Sequence, residues 1–424
     1  MYQIIARQAF NRLLATTLLL LAGPGPVFAA SLSISAAEQL ALRDDYTLRA
    51  ISARSESMTE LSVATEKLPD PKLKLGFANL PTDTFNLGQE PMTQTVIGVR
   101  QQFPRGQTRA LSSSRLQESA ARSDAQAEDR KQKIRLEVRQ EYTRIYLHQQ
   151  RQKILQQSMV VFTDLTEITH DYYATGRAQQ QDVVRSQLEL SKVEERLSRM
   201  QQQEEEARAR LAEKVGAAAY LELDPQWPVI AEPLPAEQII ERLSDHPRLL
   251  AWQHEIAKSR TSEEIARQAY KPGFAVDLAY GGRGGQNIDG SDRTDFLSVF
   301  ITMDIPLFTK NRQDRVLASS VAETSATQYA RDDIYRSMKA NIAEGSASLA
   351  RQRERLALYL DNLLPQASFN AEASFEAYQD AVGDLTTLMR ARIGEYELKL
   401  DHASLRADEI ITRARLLYLQ GEAS

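Results

Sequence analysis

Residues 173–185 read YATGRAQQQDVVR and residues 378–390 read YQDAVGDLTTLMR. Tyr173 corresponds to Tyr378, Gly176 to Ala381, Asp182 to Thr387, Val183 to Leu388 and Arg185 to Arg390. The correspondence extends along the chain. Ala37-Glu38-Gln39-Leu40 recurs as Ala236-Glu237-Gln238-Ile239, Leu48 before Pro71 matches Leu249 before Pro272, and Phe103-Pro104 recurs as Ile305-Pro306. The offset drifts only from 199 to 205. A few short insertions and no rearrangement relate the copies, which points to duplication of one supersecondary unit.

The first thirty residues read as a targeting segment. Arg7 and Arg12 form a positive n-region, Leu13 to Ala22 an apolar run, and Val27-Phe28-Ala29 a small-residue cleavage site after the breakers Gly23 to Pro26. That is the pattern of a secretory signal peptide over 1–29, cleaved after Ala29 or Ala30. The run is about half of the ~20 residues that a membrane helix needs, and no later segment reaches 18 consecutive apolar residues. Cysteine is absent, so no disulfide framework and no lipidated N-terminal cysteine is expected. The formal charge of −5 becomes about −7 without Arg7 and Arg12, which argues against nucleic acid as a partner.

Only 18 glycines and 15 prolines punctuate the chain, and strong helix formers dominate 108–215 and 313–420. Very long helices follow. The first repeat is expected over 30–216, a connector bearing Trp227 over 217–235, and the second repeat over 236–424. Each opens with a single helix, 36–67 or 236–270, ended by Pro69 and Pro71 or by Pro272. A β-hairpin follows at about 72–104 and again at about 272–306. Phe274, Val276, Leu278 and Tyr280 alternate with Ala275, Asp277, Ala279 and Gly281, and Leu297, Val299, Ile301, Met303 and Ile305 with Ser298, Phe300, Thr302 and Asp304, the period of a strand with one oily face. Leu73, Leu75 and Phe77 open the first hairpin, and alternation is weaker over 96–103.

Strands of about 9–11 residues can cross a hydrocarbon layer when tilted, although half-buried strands of soluble sheets alternate equally well. Four strands cannot close a barrel, and an open edge cannot face lipid. If these strands span a membrane, several chains must share one barrel.

After each hairpin comes a helix, 108–172 or 313–378, that would reach roughly 100 Å at the α-helical rise. The returning helix carries a seam of Val183, Ser186, Leu190, Val193, Leu197, Met200, Glu204, Ala207 and Leu211, spaced alternately by three and four as in a coiled coil. Its expected partner is the preceding helix. The turns fall at about 173–182 and 378–387. Glycine at 176 suits a turn that needs positive φ, and at the matching Ala381 the neighbouring Gly383 is expected to take over.

These features together resemble the TolC family of outer-membrane efflux channels. The carrying residues are Tyr173-Ala174-Thr175-Gly176 with Gln180-Gln181-Asp182-Val183, Tyr378 with Gly383-Asp384-Leu385-Thr386-Thr387-Leu388, and the strand ends Gln102-Phe103-Pro104 and Ile305-Pro306-Leu307-Phe308. The resemblance implies a mainly α fold with a small β part: duplicated units of long antiparallel coiled-coil helices, two hairpins giving four membrane strands per chain, and a homotrimer whose 12-stranded barrel continues into a periplasmic α-helical tunnel. It also implies a passive outer-membrane conduit working with a periplasmic adaptor protein and an RND-type inner-membrane pump. Tyr173, Gly176, Asp182, Val183, Tyr378, Ala381, Gly383 and Leu388 would then form the adaptor-contacting tip. Leu73, Leu75, Phe77, Phe274, Val276, Leu278, Tyr280, Leu297, Val299 and Ile301 would face outer-membrane lipid. Family members often carry aspartates beyond the second turn that narrow the entrance, and Thr387 occupies that place here.

Leu68-Pro69-Asp70-Pro71, Glu90-Pro91-Met92-Thr93-Gln94 and Gly383-Asp384-Leu385-Thr386-Thr387-Leu388 look most like the heavy-metal cation branch. No cofactor or metal site is expected, since the histidines at 148, 170, 246, 254 and 402 show no ligand spacing. No nucleophile elbow, zinc HExxH or P-loop lysine marks an enzyme, and the glycines around Arg283 follow a strand but open no helix. Two alternatives remain open: a periplasmic coiled-coil adaptor or structural protein without membrane strands, and the same channel serving drug or peptide export.

Overall fold

The computed structural model describes residues 31–421; the expected signal peptide lies outside the described residues. The elements follow one another as α1 (Ile34–Asp44), α2 (Tyr46–Glu66), β1 (Lys72–Ala78), β2 (Gln94–Phe103), α3 (Thr108–Ala174) and α4 (Gln180–Val215). Then come α5 (Ala236–Arg242), α6 (Pro247–Gln268), β3 (Gly273–Gly282), β4 (Phe296–Asp304), α7 (Gln313–Leu358), α8 (Leu364–Gln379) and α9 (Leu385–Gln420).

Three helices expected to be continuous are interrupted, each for a local reason. At Asp45 the backbone turns extended, with φ −76° and ψ 109°, and the carboxylate accepts the Leu48 N–H at 2.6 Å. This N-cap starts α2 afresh, and Arg130 holds the same carboxylate at 2.6 Å. In the second copy a 3₁₀ turn over Leu243–Asp245 separates α5 from α6. Pro247 opens α6, where its missing N–H costs nothing, while it forces His246 before it into extended geometry. The third interruption is a π-helical turn over Tyr359–Leu363 between α7 and α8. Pro365 next to it cannot donate to Asp361, and its ring would press on that carbonyl in an ideal helix; widening the turn relieves both. By contrast α3 contains no proline and runs unbroken for 67 residues.

Asp45→Ala is therefore expected to cost about 2 kcal/mol, because a cap and one partner of a largely buried ion pair disappear together. Asp45→Asn, which keeps the cap, should lose less. Denaturant unfolding followed by circular dichroism checks the order.

Two compact units divide the described residues. The first takes residues up to Asp44, then Val138–Val229 and Leu363–Ala407. Its core gathers Leu155, Phe162 and Leu165 of α3, Val193 of α4, Tyr378 of α8, and Leu385, Leu388, Met389 and Tyr396 of α9. The seam of α4 thus packs on α3 as expected, with Ser186, Ala207 and Leu211 fully buried, but the same core also holds the second copy's helices. Glu204, a charged residue in that seam, accepts from Gln149 at 3.0 Å and Gln152 at 2.7 Å on α3, and from Arg208 at 2.8 Å. A half-buried carboxylate is tolerable there because each of its oxygens finds a donor. The start of the described chain is fastened to this unit too. Leu32 forms a parallel bridge with Leu223, and the Tyr142 hydroxyl, its pKa pushed up to about 12 by burial, donates to the Leu32 carbonyl at 2.7 Å.

The second unit takes Asp45–Glu137, Ile230–Asn362 and the residues from Asp408 on. Ile239, Leu243, Leu249, Met338, Ile342, Leu349, Leu416 and Leu419 form its helical core. It also contains the one sheet of named strands among the described residues, ordered β1-β2-β3-β4 and antiparallel throughout.

Candidate functional site

Within the second unit, the strand registers decide which side chains share a face. Leu75 pairs with Ile97, Ile97 with Tyr280 and Tyr280 with Leu297; Leu73 pairs with Val99, Val99 with Leu278 and Leu278 with Val299. Period-2 alternation therefore places Leu73, Leu75, Phe77, Ile97, Val99, Phe274, Val276, Leu278, Tyr280, Leu297, Val299 and Ile301 on one side of the sheet. That side is bare: Leu75 is 68 % exposed, Val299 60 % and Ile301 69 %. Val276 is half-buried, and the remaining eight are exposed. An uncovered apolar surface spanning four strands is far outside what water tolerates on a monomer.

The opposite side carries small and polar groups. Gly98, Ala275, Ala279 and Ser298 lie there with Lys72, Lys74, Arg100, Asp277 and Asp304. Arg100 lies 3.9 Å from Asp277 and Arg105 3.3 Å from Asp304. A cavity of about 380 Å³ opens beside them, lined by Arg100, Gln102, Arg105, Thr302 and Asp304.

The two hairpin loops are tied together. Arg293 in the second loop donates to the carbonyls of Gly88 and Glu90 in the first, each at 3.1 Å, and Arg283 donates to the Pro91 carbonyl at 3.1 Å. Gly285, with φ +90°, lets the loops touch: a Cβ there would stand 2.8 Å from the Gly88 carbonyl oxygen. The glycines around Arg283 thus serve a loop junction.

In the first unit, the two helical hairpins turn in the same manner. At the first, Gly176 takes φ +76° and its N–H donates to the Tyr173 carbonyl at 3.0 Å, while Arg177 and Ala178 donate to that of Tyr172. At the second, Ala381 itself takes the left-handed conformation, φ +58°, and donates to the Tyr378 carbonyl at 3.2 Å. The expectation that Gly383 would take over is corrected. Gly383 has no positive φ; its lack of a side chain serves close approach, since a Cβ there would lie 3.1 Å from that of Ala377. An alanine in this region costs about 1 kcal/mol relative to glycine. Ala381→Gly is expected to slow amide exchange across the second tip roughly fivefold, measurable by hydrogen exchange on the assembled protein.

The helix starts beyond the turns show a swap that residue-by-residue matching misreads. In the first copy the Gln179 N–H donates to the Asp182 carboxylate at 3.1 Å. In the second, Asp384 stands where Gln179 stood, and its carboxylate receives the Thr387 N–H and hydroxyl, both at 2.9 Å. These bonds hold the Asp384 carboxyl below the usual range. The acid that seems missing at Thr387 has moved to the cap position, where it performs the same task.

The other tip residues divide by burial. Leu388 is fully buried and Tyr378 7 % exposed, whereas Tyr173 is 47 % exposed; Val183 and Asp182 are half-buried, and Gly176 and Ala381 exposed. Tyr172, which the sequence pattern does not single out, is the residue whose ring packs on Tyr378, at 5.6 Å, with the Arg177 guanidinium 5.9 Å above it. The two hairpins also meet at the tip through a hydrogen bond from Arg185 to the Thr386 hydroxyl. Only the tandem Tyr172-Tyr173 could have signalled the first pair.

No group of three or more His, Asp or Glu side chains gathers as a metal-binding set among the described residues, and no described helix is long and apolar enough to cross a membrane.

Neither a family model nor a curated protein matches the sequence. Solved structures do. The outer-membrane channel OprN matches with a TM-score of 0.79 at 16 % identity, over 92 % of this chain and 90 % of its own. The outer membrane protein VceC from Vibrio cholerae matches with 0.77 at 14 %, over 92 % and 96 %. CusC, whose structures concern folding and transmembrane channel formation, matches with 0.77 at 13 %, over 93 % of each chain. The chain has the fold of outer-membrane channel proteins. That is the protomer fold implied by the TolC-family resemblance: long helices with a small four-stranded antiparallel sheet.

Proposed function

We propose that the protein is the outer-membrane channel of a tripartite efflux system, a passive homotrimeric conduit rather than an enzyme. The carrying observation is the sheet: a bare apolar face across four strands, a small polar face behind it, and two open edges. Those properties suit a third of a closed barrel, apolar outward and polar inward. The channel-protein fold over more than nine-tenths of the chain supports the same reading. A periplasmic adaptor without membrane strands leaves such a surface without a role.

In this reading residues 1–29 direct export, the repeats over 30–216 and 236–424 each contribute one hairpin and one helical pair, and 217–235 joins them. The tips at Tyr173, Gly176, Asp182 and Val183, and at Tyr378, Ala381, Gly383 and Leu388, contact the periplasmic adaptor next to an RND-type pump. Heavy-metal cations are the proposed cargo, on the phrases at 68–71, 90–94 and 383–388 alone. The purified protein should sediment with outer membranes, show trimer mass in detergent, and open ohmic conductances in planar bilayers. Recovery in the soluble periplasm, or monomer mass without conductance, would overturn the reading. Cargo is decided separately, by metal and drug sensitivity of cells lacking the gene.

A further inference from the structure

β1 and β4 are the outer strands of the sheet, so each keeps one edge of backbone donors and acceptors without a strand partner among the described residues. We propose that β1 of one copy pairs antiparallel with β4 of the next in a single register, with Lys72 opposite Asp304, Leu75 opposite Ile301 and Gly76 opposite Phe300. This rests on the reading of the chain as a shared barrel and adds to it the residue-level seam.

Four features select that register. Face parity comes first: Leu75 must meet an odd-numbered β4 residue, or oily and polar faces would mix across the seam. Strand extent comes second. All seven residues of β1 find partners inside β4 only if Lys72 lies opposite Asp304 or Thr302. Moving two residues the other way sets Lys72 against Pro306, which has no N–H to give.

Charge is the third. Within its own chain Lys72 faces Arg100 across the strands, a like-charge pair that is unfavourable when directly opposed. Asp304 on the other edge keeps a side chain 63 % exposed. Opposition of the two sets unlike charges against each other at one end of the seam, beside the Arg105–Asp304 pair.

The fourth feature explains an oddity. Phe300 is 62 % exposed on the face made mainly of small and polar groups, where Val96 and Phe296 are the other large apolar residues and are half-buried; its partner within the chain is Asp277. Gly76 has open space where a Cβ would be. An aromatic ring laid over a cross-strand glycine fills such a gap.

Barrel geometry agrees. Lys72 lies level with Arg100, Asp277 and Phe300 through the three registers. With Phe300 opposite Gly76 of the next copy, the path advances four residues per copy. Roughly twelve residues of stagger over twelve strands correspond to a tilt of about 35°, within the usual range, whereas the Thr302 register gives about 20°.

The chain has no cysteine, so paired cysteines report on the seam alone. The in-register pairs are Leu75→Cys with Ile301→Cys, and Lys74→Cys with Thr302→Cys, one on each face. Leu75→Cys with Val299→Cys or with Met303→Cys are controls shifted by two residues. Two strands separate β1 from β4 within a copy, too far for an intrachain disulfide. Mild oxidation of the assembled protein should give covalent trimer from at least one in-register pair, at ten or more times the yield of either control, on non-reducing gels. Preferential bonding of a shifted pair, or of no pair in a protein of trimer mass, overturns the register. Monomer mass before oxidation overturns the barrel reading instead.

Discussion

Leu278→Arg and Val299→Arg are each expected to abolish stable insertion into the outer membrane. The two residues oppose one another on the apolar face, and a guanidinium at mid-bilayer on such a face costs roughly 2–4 kcal/mol. In a trimer every substitution occurs three times. The penalty approaches roughly 6–12 kcal/mol per assembly if the sites act independently, comparable to the whole stability of a domain. Ala279→Ser, on the opposite face, should insert normally. Carbonate-resistant membrane association and trimer mass in detergent, compared at equal synthesis, provide the check. Normal insertion of both arginine variants would remove the lipid-facing assignment.

At the other functional region, Gly176→Trp and Val183→Asp are expected to reduce efflux to the level of cells lacking the gene while insertion and trimer formation stay normal. Gly176 is exposed, and a Cβ placed on it would find nothing within 4 Å, so an indole starts from uncrowded space and adds its bulk at the surface where a partner would dock. Gly176→Ala imposes the same left-handed backbone cost, about 1 kcal/mol, without the bulk, and should retain most activity. That contrast separates a blocked contact from a strained turn. His148→Ala, His254→Ala and His402→Ala should leave transport near wild type. Resistance of cells carrying each variant at matched expression is the readout; full activity of the tip variants, or its loss with the histidines, would contradict a passive conduit with an adaptor-docked tip.

The parts of this fold that were legible are those written in periodicity. β3 announces itself by strict alternation, β4 by alternation broken at Phe300, and the α4 seam by its three–four spacing, because burial of one face imposes those periods. β2 was weaker because Val96 sits on the small-residue face, opposite Ile97 and Val99, and blurs the pattern. The helix interruptions escaped for a different reason. Asp45 breaks a helix through a cap and a tertiary ion pair with Arg130, a residue 85 positions away. Pro247 and Pro365 were visible, but a proline within an amphipathic run does not say whether the helix stops, restarts or widens.

At the tips, position matching singled out the stretches between α3 and α4 and between α8 and α9 but misjudged their chemistry. Which residue carries positive φ depends on the hydrogen bonds closing the turn, and those held Ala381 where glycine was expected. The acid swap between Asp182 and Asp384 is likewise invisible to one-to-one matching, because cap and third-residue positions can exchange roles. The loop junction at Arg283 and Arg293 rests on main-chain carbonyls, which no side-chain pattern encodes.

The unequal edges of the sheet bear on biogenesis. Before copies meet, each carries two templates for uncontrolled strand addition. β1 is short and holds Lys72 and Lys74, the usual deterrents. β4 is longer, its one charge lies at the end in Asp304, and Leu297, Val299, Phe300, Ile301 and Met303 are exposed along it. Aggregation in transit should therefore start at β4. On the proposed trimeric reading, yield should depend on the race between trimer formation and misassembly, favouring slow synthesis and periplasmic chaperones that shield strand edges.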